Sequence, residues 1–147
     1  MWTDPRARLE QMLQVLRDKG CRLTPQRVAM LKILAESRGH PGIEQIYERM
    51  KIDFPTTSLA TIYKTMSLLK EMGQVLELTL AAVGTRYDGN RPYPHPHIIC
   101  TKCGQILDPE FTAMAEISQE MARQTGYKIN HQQLNFFGLC PKCQKEG

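Results

Sequence analysis

The chain has 147 residues, 41% of them hydrophobic and 23% charged, with a net charge of +4. That length buries a real core, as one domain or two small ones. The polar stretch from Met1 to Arg8 has no apolar signal-peptide core, and no apolar run approaches the roughly 20 residues of a membrane helix, so a cytoplasmic protein without membrane contact is expected. The modest positive charge permits nucleic-acid binding without establishing it, and it leans to the first half: residues 1–80 hold 12 Lys/Arg against 9 Asp/Glu, residues 81–147 hold 7 against 6.

Residues 1–80 read as helices. Leu9, Met12, Leu13 and Leu16 recur at i, i+3, i+4, i+7, the stripe of an amphipathic helix, and Gly20 stops it. Thr24-Pro25 has the form of an N-cap followed by proline at the first helical position. Val28, Leu31, Ile33 and Leu34 supply the next apolar set, which Ser37 to Gly42 breaks. A short helix over Ile43 to Met50 ends at Phe54-Pro55. Thr56-Thr57-Ser58 are three candidate caps before a helix running to about Met72, with Leu59, Ile62, Met66 and Leu69 on its buried face and Ser58, Thr61, Lys64, Thr65 and Lys70 outward. Gly73 closes it.

The period then changes. Val75–Leu80 and Thr85–Asp88 read as two short strands around Ala82-Val83-Gly84. Successive helices followed by a hairpin are the order of a winged helix-turn-helix, whose last helix lies in the major groove while the hairpin touches the backbone. The outward face of that helix is polar and locally basic, with no Asp or Glu between residues 54 and 70, and Tyr63 offers an aromatic or phosphate contact. An ordinary solvated helix face has the same composition, so spacing alone leaves both readings open.

Residues 89–96, Gly-Asn-Arg-Pro-Tyr-Pro-His-Pro, form a hinge candidate, since alternate prolines force extended backbone and forbid a helix. Strands are expected at His97–Cys100, Gln105–Leu107 and Lys128–Phe137, with a helix from about Thr112 to Thr125. This second half is α+β.

Four of the five cysteines stand in two identical spacings, Cys100-x-x-Cys103 and Cys140-x-x-Cys143, with 36 residues between them. A two-residue gap lets one tight turn present two thiolates, and two such pairs complete the tetrahedron of a structural Zn²⁺. Paired disulfides are the bland alternative in a secreted protein, and a thiol–disulfide switch is another. Cys21 stands apart, a small core residue. His95 and His97, one residue apart on extended backbone, project from the same face, a spacing suited to chelating one ion and equally found in surface histidines. Because four thiolates already fill a zinc site, the histidines point to a second one. Asp88, Asp108 and His40 are further donors, each with an ordinary turn or loop explanation: Asp88-Gly89, Asp108-Pro109 and His40-Pro41.

Arg22-Leu23-Thr24-Pro25-Gln26-Arg27, Ser58-Leu59-Ala60-Thr61-Ile62-Tyr63-Lys64-Thr65, the segment His95-Pro96-His97-Ile98-Ile99-Cys100-Thr101-Lys102-Cys103-Gly104 and the closing Cys140–Cys143 pair together resemble the ferric uptake regulator (Fur) family of metal-dependent bacterial repressors, over nearly the whole chain. The resemblance implies a homodimer of two-domain subunits on double-stranded operator DNA: a winged helix over 1–88, a hinge over 89–96, and a small α+β dimerisation domain over 97–147 with zinc on Cys100, Cys103, Cys140 and Cys143. Candidate DNA contacts, chosen for expected exposure, are Thr57, Ser58, Thr61, Tyr63 and Lys64 on the last helix and its approach, with Arg22 ahead of the second helix. The positions matching the family's regulatory ligands are His40, Asp88, His95, His97 and Asp108, a nitrogen and oxygen set suited to Fe²⁺ or Mn²⁺.

Peroxide-sensing members of the family resemble this chain in carrying aspartate at the Asp108 position, where iron-uptake regulators usually carry glutamate. In them iron-promoted reaction with H₂O₂ oxidises a ligand imidazole and releases metal and DNA; His40 and His95 match those imidazoles. Regulation by iron or manganese availability without peroxide sensing is the alternative within the family. A metalloenzyme built on His95, His97 and Asp108 is the alternative outside it, and no motif supplies its general base. Two features depart from the family pattern. Pro94 and Pro96 replace the histidine and acidic residue of an additional metal site found in some iron-type members, although His131 remains from that pattern. The proline-rich hinge is also stiff.

Overall fold

The computed structural model describes residues 2–80 and 84–146. The chain divides into two compact units, Met1–Pro92 and Tyr93–Gly147.

The first unit runs α1 (Pro5–Asp18), α2 (Pro25–Glu36), α3 (Ile43–Asp53), α4 (Leu59–Glu71), β1 (Leu76–Leu80) and β2 (Gly84–Asp88). Local chemistry starts three of these helices. Asp4 Oδ2 accepts from the Ala7 amide at 3.1 Å, Thr24 Oγ1 from Arg27 at 3.2 Å and Ser58 Oγ from Thr61 at 3.2 Å. Each bond satisfies an amide that the first helical turn leaves without a partner, an effect of about 0.5–2 kcal/mol. Gly73 ends α4 in the left-handed region at φ 66°, which a side chain would resist.

The apolar stripes meet in one core of Met12, Leu16, Met30, Leu31, Leu34, Ile46, Met50, Ile62, Met66 and Leu69, with Val75 and Tyr87 bringing the hairpin onto it. Cys21 is half-buried against this core rather than within it. The phase of α4 differs from the expected one. Leu59 is 43% exposed and Thr65 only 3% exposed. Ile62, Thr65, Met66 and Leu69 keep the i, i+3, i+4, i+7 rhythm, whereas Leu59 stands in the first turn, ahead of the core. β1 and β2 pair antiparallel from Leu76↔Asp88 to Leu80↔Gly84, so Asp88 is the last residue of the ladder. Ala82 and Val83, read as part of the connecting turn, lie outside the described residues.

The second unit contains β3 (His97–Cys100), β4 (Ile106–Leu107), α5 (Met114–Thr125), β5 (Asn135–Gly138) and α6 (Pro141–Glu146). Its sheet has the order β4-β3-β5, with β3 antiparallel to β4 and parallel to β5. The strand expected over 128–137 forms only at Asn135–Gly138. β3 offers just four residues of ladder, His97↔Asn135 to Cys100↔Gly138, and the residues before Asn135 have no strand partner among the described residues. The second CxxC, expected as a simple turn, opens a short helix with Pro141 at its start. Among the described residues no helix is long and apolar enough to cross a membrane.

Candidate metal centres

The first CxxC sits on the turn leaving β3 and the second on the turn entering α6, and these turns bring all four sulfurs within 4.8 Å of one another. Cys103 Sγ and Cys140 Sγ are 3.9 Å apart. Zinc–sulfur bonds of about 2.3 Å in a tetrahedron put sulfurs about 3.8 Å apart, so the cluster fits Zn²⁺, while a disulfide needs about 2.0 Å. All the cysteines are free thiols. Backbone amides prepare the site for negative sulfur: Cys103 N and Cys140 N point at Cys100 Sγ at 3.5 and 3.4 Å, and Cys143 N at Cys140 Sγ at 3.4 Å. The Cys103 amide, with that of Cys140, draws the Cys100 thiol down to about 6. The Cys143 thiol is pushed up to about 12, first by its contact with the Cys140 side chain and then by burial. A dication bound among the four sulfurs would favour their thiolate forms.

In the first unit, His40 and Asp88 meet. His40 ends the loop after α2 in a left-handed conformation, φ 52°, which is uncommon for a non-glycine residue. β2 holds this loop, since Tyr87 N donates to Pro41 O at 3.0 Å and Arg86 Nη1 to His40 O at 3.3 Å. Asp88 Oδ1 accepts the amides of Asn90 and Arg91 at 3.0 and 2.9 Å, leaving Oδ2 directed at His40 Nε2, 3.4 Å away. Both residues are buried.

In the second unit, Asp108 follows β4 and faces two histidines. Its Oδ2 lies 3.6 Å from His95 Nε2 and its Oδ1 3.5 Å from His97 Nε2, and the two rings stand 4.4 Å apart. These separations exceed good hydrogen bonds, and they match donors about 2.0–2.2 Å from a common ion, which lie roughly 3–3.6 Å from each other. His95 Nδ1 is bonded to Tyr93 O at 2.7 Å. That bond assigns the proton to Nδ1 and leaves Nε2 as the donor toward a metal, the usual arrangement around a ligating histidine. All three side chains offer nitrogen or oxygen, so the set fits a harder divalent ion such as Fe²⁺ or Mn²⁺. His131, by contrast, is exposed and belongs to neither cluster.

Of the candidate DNA contacts, Arg22, Ser58, Tyr63 and Lys64 are exposed and Thr61 is half-buried. Thr57 is 4% exposed and is not presented by this face. Arg22, Arg27, Thr61 and Lys64 line one groove between the start of α2 and the face of α4, gathering three cations without a carboxylate. Arg27, whose Nη1 donates to Arg22 O at 2.8 Å, was not among the sequence candidates, although it stands in the same Thr-Pro-Gln-Arg segment.

A model of the ferric uptake regulator family matches residues 18–137. The peroxide-responsive repressor PerR of Staphylococcus epidermidis is 37% identical over 139 residues, 95% of this chain and 92% of its own. Among solved structures, the Campylobacter jejuni peroxide stress regulator superposes with a TM-score of 0.72 at 36% identity, over 89% of this chain and 98% of that one. The Helicobacter pylori ferric uptake regulator superposes with a TM-score of 0.79 over 97% and 95% of the two chains; at 22% identity that likeness is one of fold alone.

Proposed function

This chain belongs to the ferric uptake regulator family, and from that premise we propose that it is a metal-dependent DNA-binding repressor that responds to hydrogen peroxide. The observation that carries the reading is the donor set itself: buried His40, His95, His97 and Asp88 with half-buried Asp108, no thiolate among them, and Asp108 facing both His95 and His97. The relatedness to the S. epidermidis peroxide-responsive repressor supports the signal.

His40 and Asp88 offer two donors and His95, His97 and Asp108 three. The resemblance to the family implies that all five serve one regulatory ion, and their nitrogen and oxygen atoms suit a harder divalent cation. On that resemblance we assign all five to the regulatory ion, and read a winged-helix domain over 1–88, a hinge over 89–96 and a dimerisation domain over 97–147. Fe²⁺ supplies, when bound, the electrons that break the O–O bond of H₂O₂; Mn²⁺ does not. His40 and His95 hold their rings where one of them takes up an oxygen atom, with water leaving. An oxidised ring is a poorer donor, so the site loses its ion and the DNA-competent state loses population.

The groove of Arg22, Arg27, Thr61 and Lys64 supports placing α4 in the major groove of operator DNA, with Ser58, Tyr63 and Lys64 at the interface. One row across the sheet, Ile98, Leu107 and Phe136, is apolar and exposed, which supports a homodimer through the second domain. Zn²⁺ on the four cysteines is structural, and the protein acts in the cytoplasm as a regulator rather than a catalyst. Regulation by iron or manganese availability remains the second reading, favoured by the fit of the same donors to Mn²⁺.

The test is peptide mapping by mass spectrometry after H₂O₂ treatment of the Fe²⁺-loaded protein. Added mass of one oxygen on the His40- or His95-containing peptide is expected, and none on the Mn²⁺-loaded protein. Absence of that oxygen from both peptides with iron bound defeats the peroxide reading.

A further inference from the structure

Asn90 is 1% exposed, and its carboxamide spends every bond on distant backbone. Nδ2 donates to Thr3 O at 2.7 Å and to Ala35 O at 3.0 Å, and Oδ1 accepts from Thr3 N at 2.8 Å. Its own amide donates to Asp88 Oδ1 at 3.0 Å. One residue thus joins three stretches of chain: the segment before α1, the last turn of α2, and the turn that follows Asp88. From Ala35 the chain runs on through residues 36–39 to His40. The turn is pinned from two further sides. Arg8 Nε donates to Gly89 O at 2.6 Å and Arg8 Nη2 to Gln74 O at 2.9 Å. Gly89 also lies so close to α2 that a Cβ there would meet Leu34 Cβ at 2.6 Å.

We infer that Asn90 is a positioning residue for the regulatory ion: its carboxamide, holding the Asp88 turn to the end of α2, sets the 3.4 Å spacing of His40 and Asp88 before an ion arrives. The inference rests on the reading of His40 and Asp88 as ligands. Its physical content is pre-organisation. A half-site assembled by buried, fully used hydrogen bonds spends none of the metal's binding energy on ordering the loops, and loosening the bonds returns that cost to the binding step. Asn90 does this from outside the ligand set, its side chain bonding backbone carbonyls 87 and 55 residues away in sequence.

The experiment titrates Mn²⁺ into the zinc-loaded, full-length protein and follows free and bound Mn²⁺ by EPR. Asn90→Asp removes both donors and sets a carboxylate against two carbonyls; Asn90→Ala removes the carboxamide outright. Both are expected to weaken Mn²⁺ binding by about 10–100-fold and to change the spectrum of bound Mn²⁺, with four-cysteine zinc content unchanged. Thr3→Pro deletes the amide that Asn90 Oδ1 accepts, in a segment outside every helix and strand, and is expected to weaken binding by about 3–10-fold. His40→Ala is the reference. If it leaves Mn²⁺ affinity at the parent value, the ligand assignment fails and this inference with it. If His40→Ala weakens binding while the Asn90 variants bind with parent affinity and an unchanged bound-Mn²⁺ spectrum, the role of Asn90 alone is overturned. Should both Asn90 variants fail to fold, Thr3→Pro decides: parent affinity and spectrum overturn the inference, and a weakened, altered site supports it.

Discussion

Replacing Gly89 with alanine tests how rigidly the Asp88 turn is seated. Gly89 is not in the left-handed region, so an added methyl brings no backbone strain and the whole effect is contact. That methyl would lie 2.6 Å from Leu34 Cβ and 3.2 Å from both the Leu34 carbonyl carbon and its oxygen. Carbon atoms rest about 3.5–4.0 Å apart, so the gap must open by roughly 1 Å. Two of the three obstructing atoms are helix backbone, and Leu34 is itself fully buried in the core, so the turn moves rather than α2. Overpacking of this kind costs about 1–3 kcal/mol. A melting point about 4–8 °C lower for each kcal/mol is expected for a unit of this size. Asp88 is the neighbouring residue, so the displacement also opens its 3.4 Å approach to His40, and Mn²⁺ affinity falls about tenfold or more. Calorimetry and Mn²⁺ titration of the same preparation measure both. A Gly89→Ala protein with the parent's melting point and Mn²⁺ affinity would refute the steric argument.

Asp108→Glu lengthens the carboxylate that stands between His95 and His97, and the Fe²⁺-loaded variant is expected to keep operator binding after a peroxide dose that releases the parent; equal sensitivity, scored by gel shift, argues against the peroxide role. Thiol titration is expected to find Cys100, Cys103, Cys140 and Cys143 protected in the zinc-loaded protein and reactive once a chelator is present; free reactivity with zinc bound would favour a thiol–disulfide switch. Lys64→Ala, on the exposed face of α4, should weaken binding to every DNA sequence and flatten the dependence of log affinity on log salt by about one unit. An unchanged slope removes Lys64 from the interface.

Local patterns in the chain carried local structure well. The α1 stripe of Met12, Leu13 and Leu16 and the caps Thr24 and Ser58 are read within one or two helical turns, and each appears in place. The two CxxC spacings and the His-x-His pair were legible for the same reason, since a turn or a short strand decides where those side chains point. What escaped depends on partners far along the chain. Leu59 matches the apolar rhythm of α4 and still faces solvent, because the core ends before the first turn of the helix. The strand expected from Lys128 starts at Asn135, because β3 is too short to pair with more. Asn90 looks like an ordinary Asp-Gly-Asn turn residue, and only the arrival of Thr3 and Ala35 makes it structural. Donor identity was legible from residue type and family resemblance; the bond from His95 Nδ1 to Tyr93 O, which selects the nitrogen left for the metal, needed coordinates.

Under the proposed function, the ion on the histidine–aspartate set controls DNA binding and iron makes this control sensitive to peroxide. Operator affinity measured by fluorescence anisotropy, with Fe²⁺ or Mn²⁺ bound and before and after H₂O₂, tests it most directly. Tight binding with either metal, lost after peroxide only with iron, is the predicted result. Affinity indifferent to metal, or equal peroxide sensitivity with both metals, would contradict it.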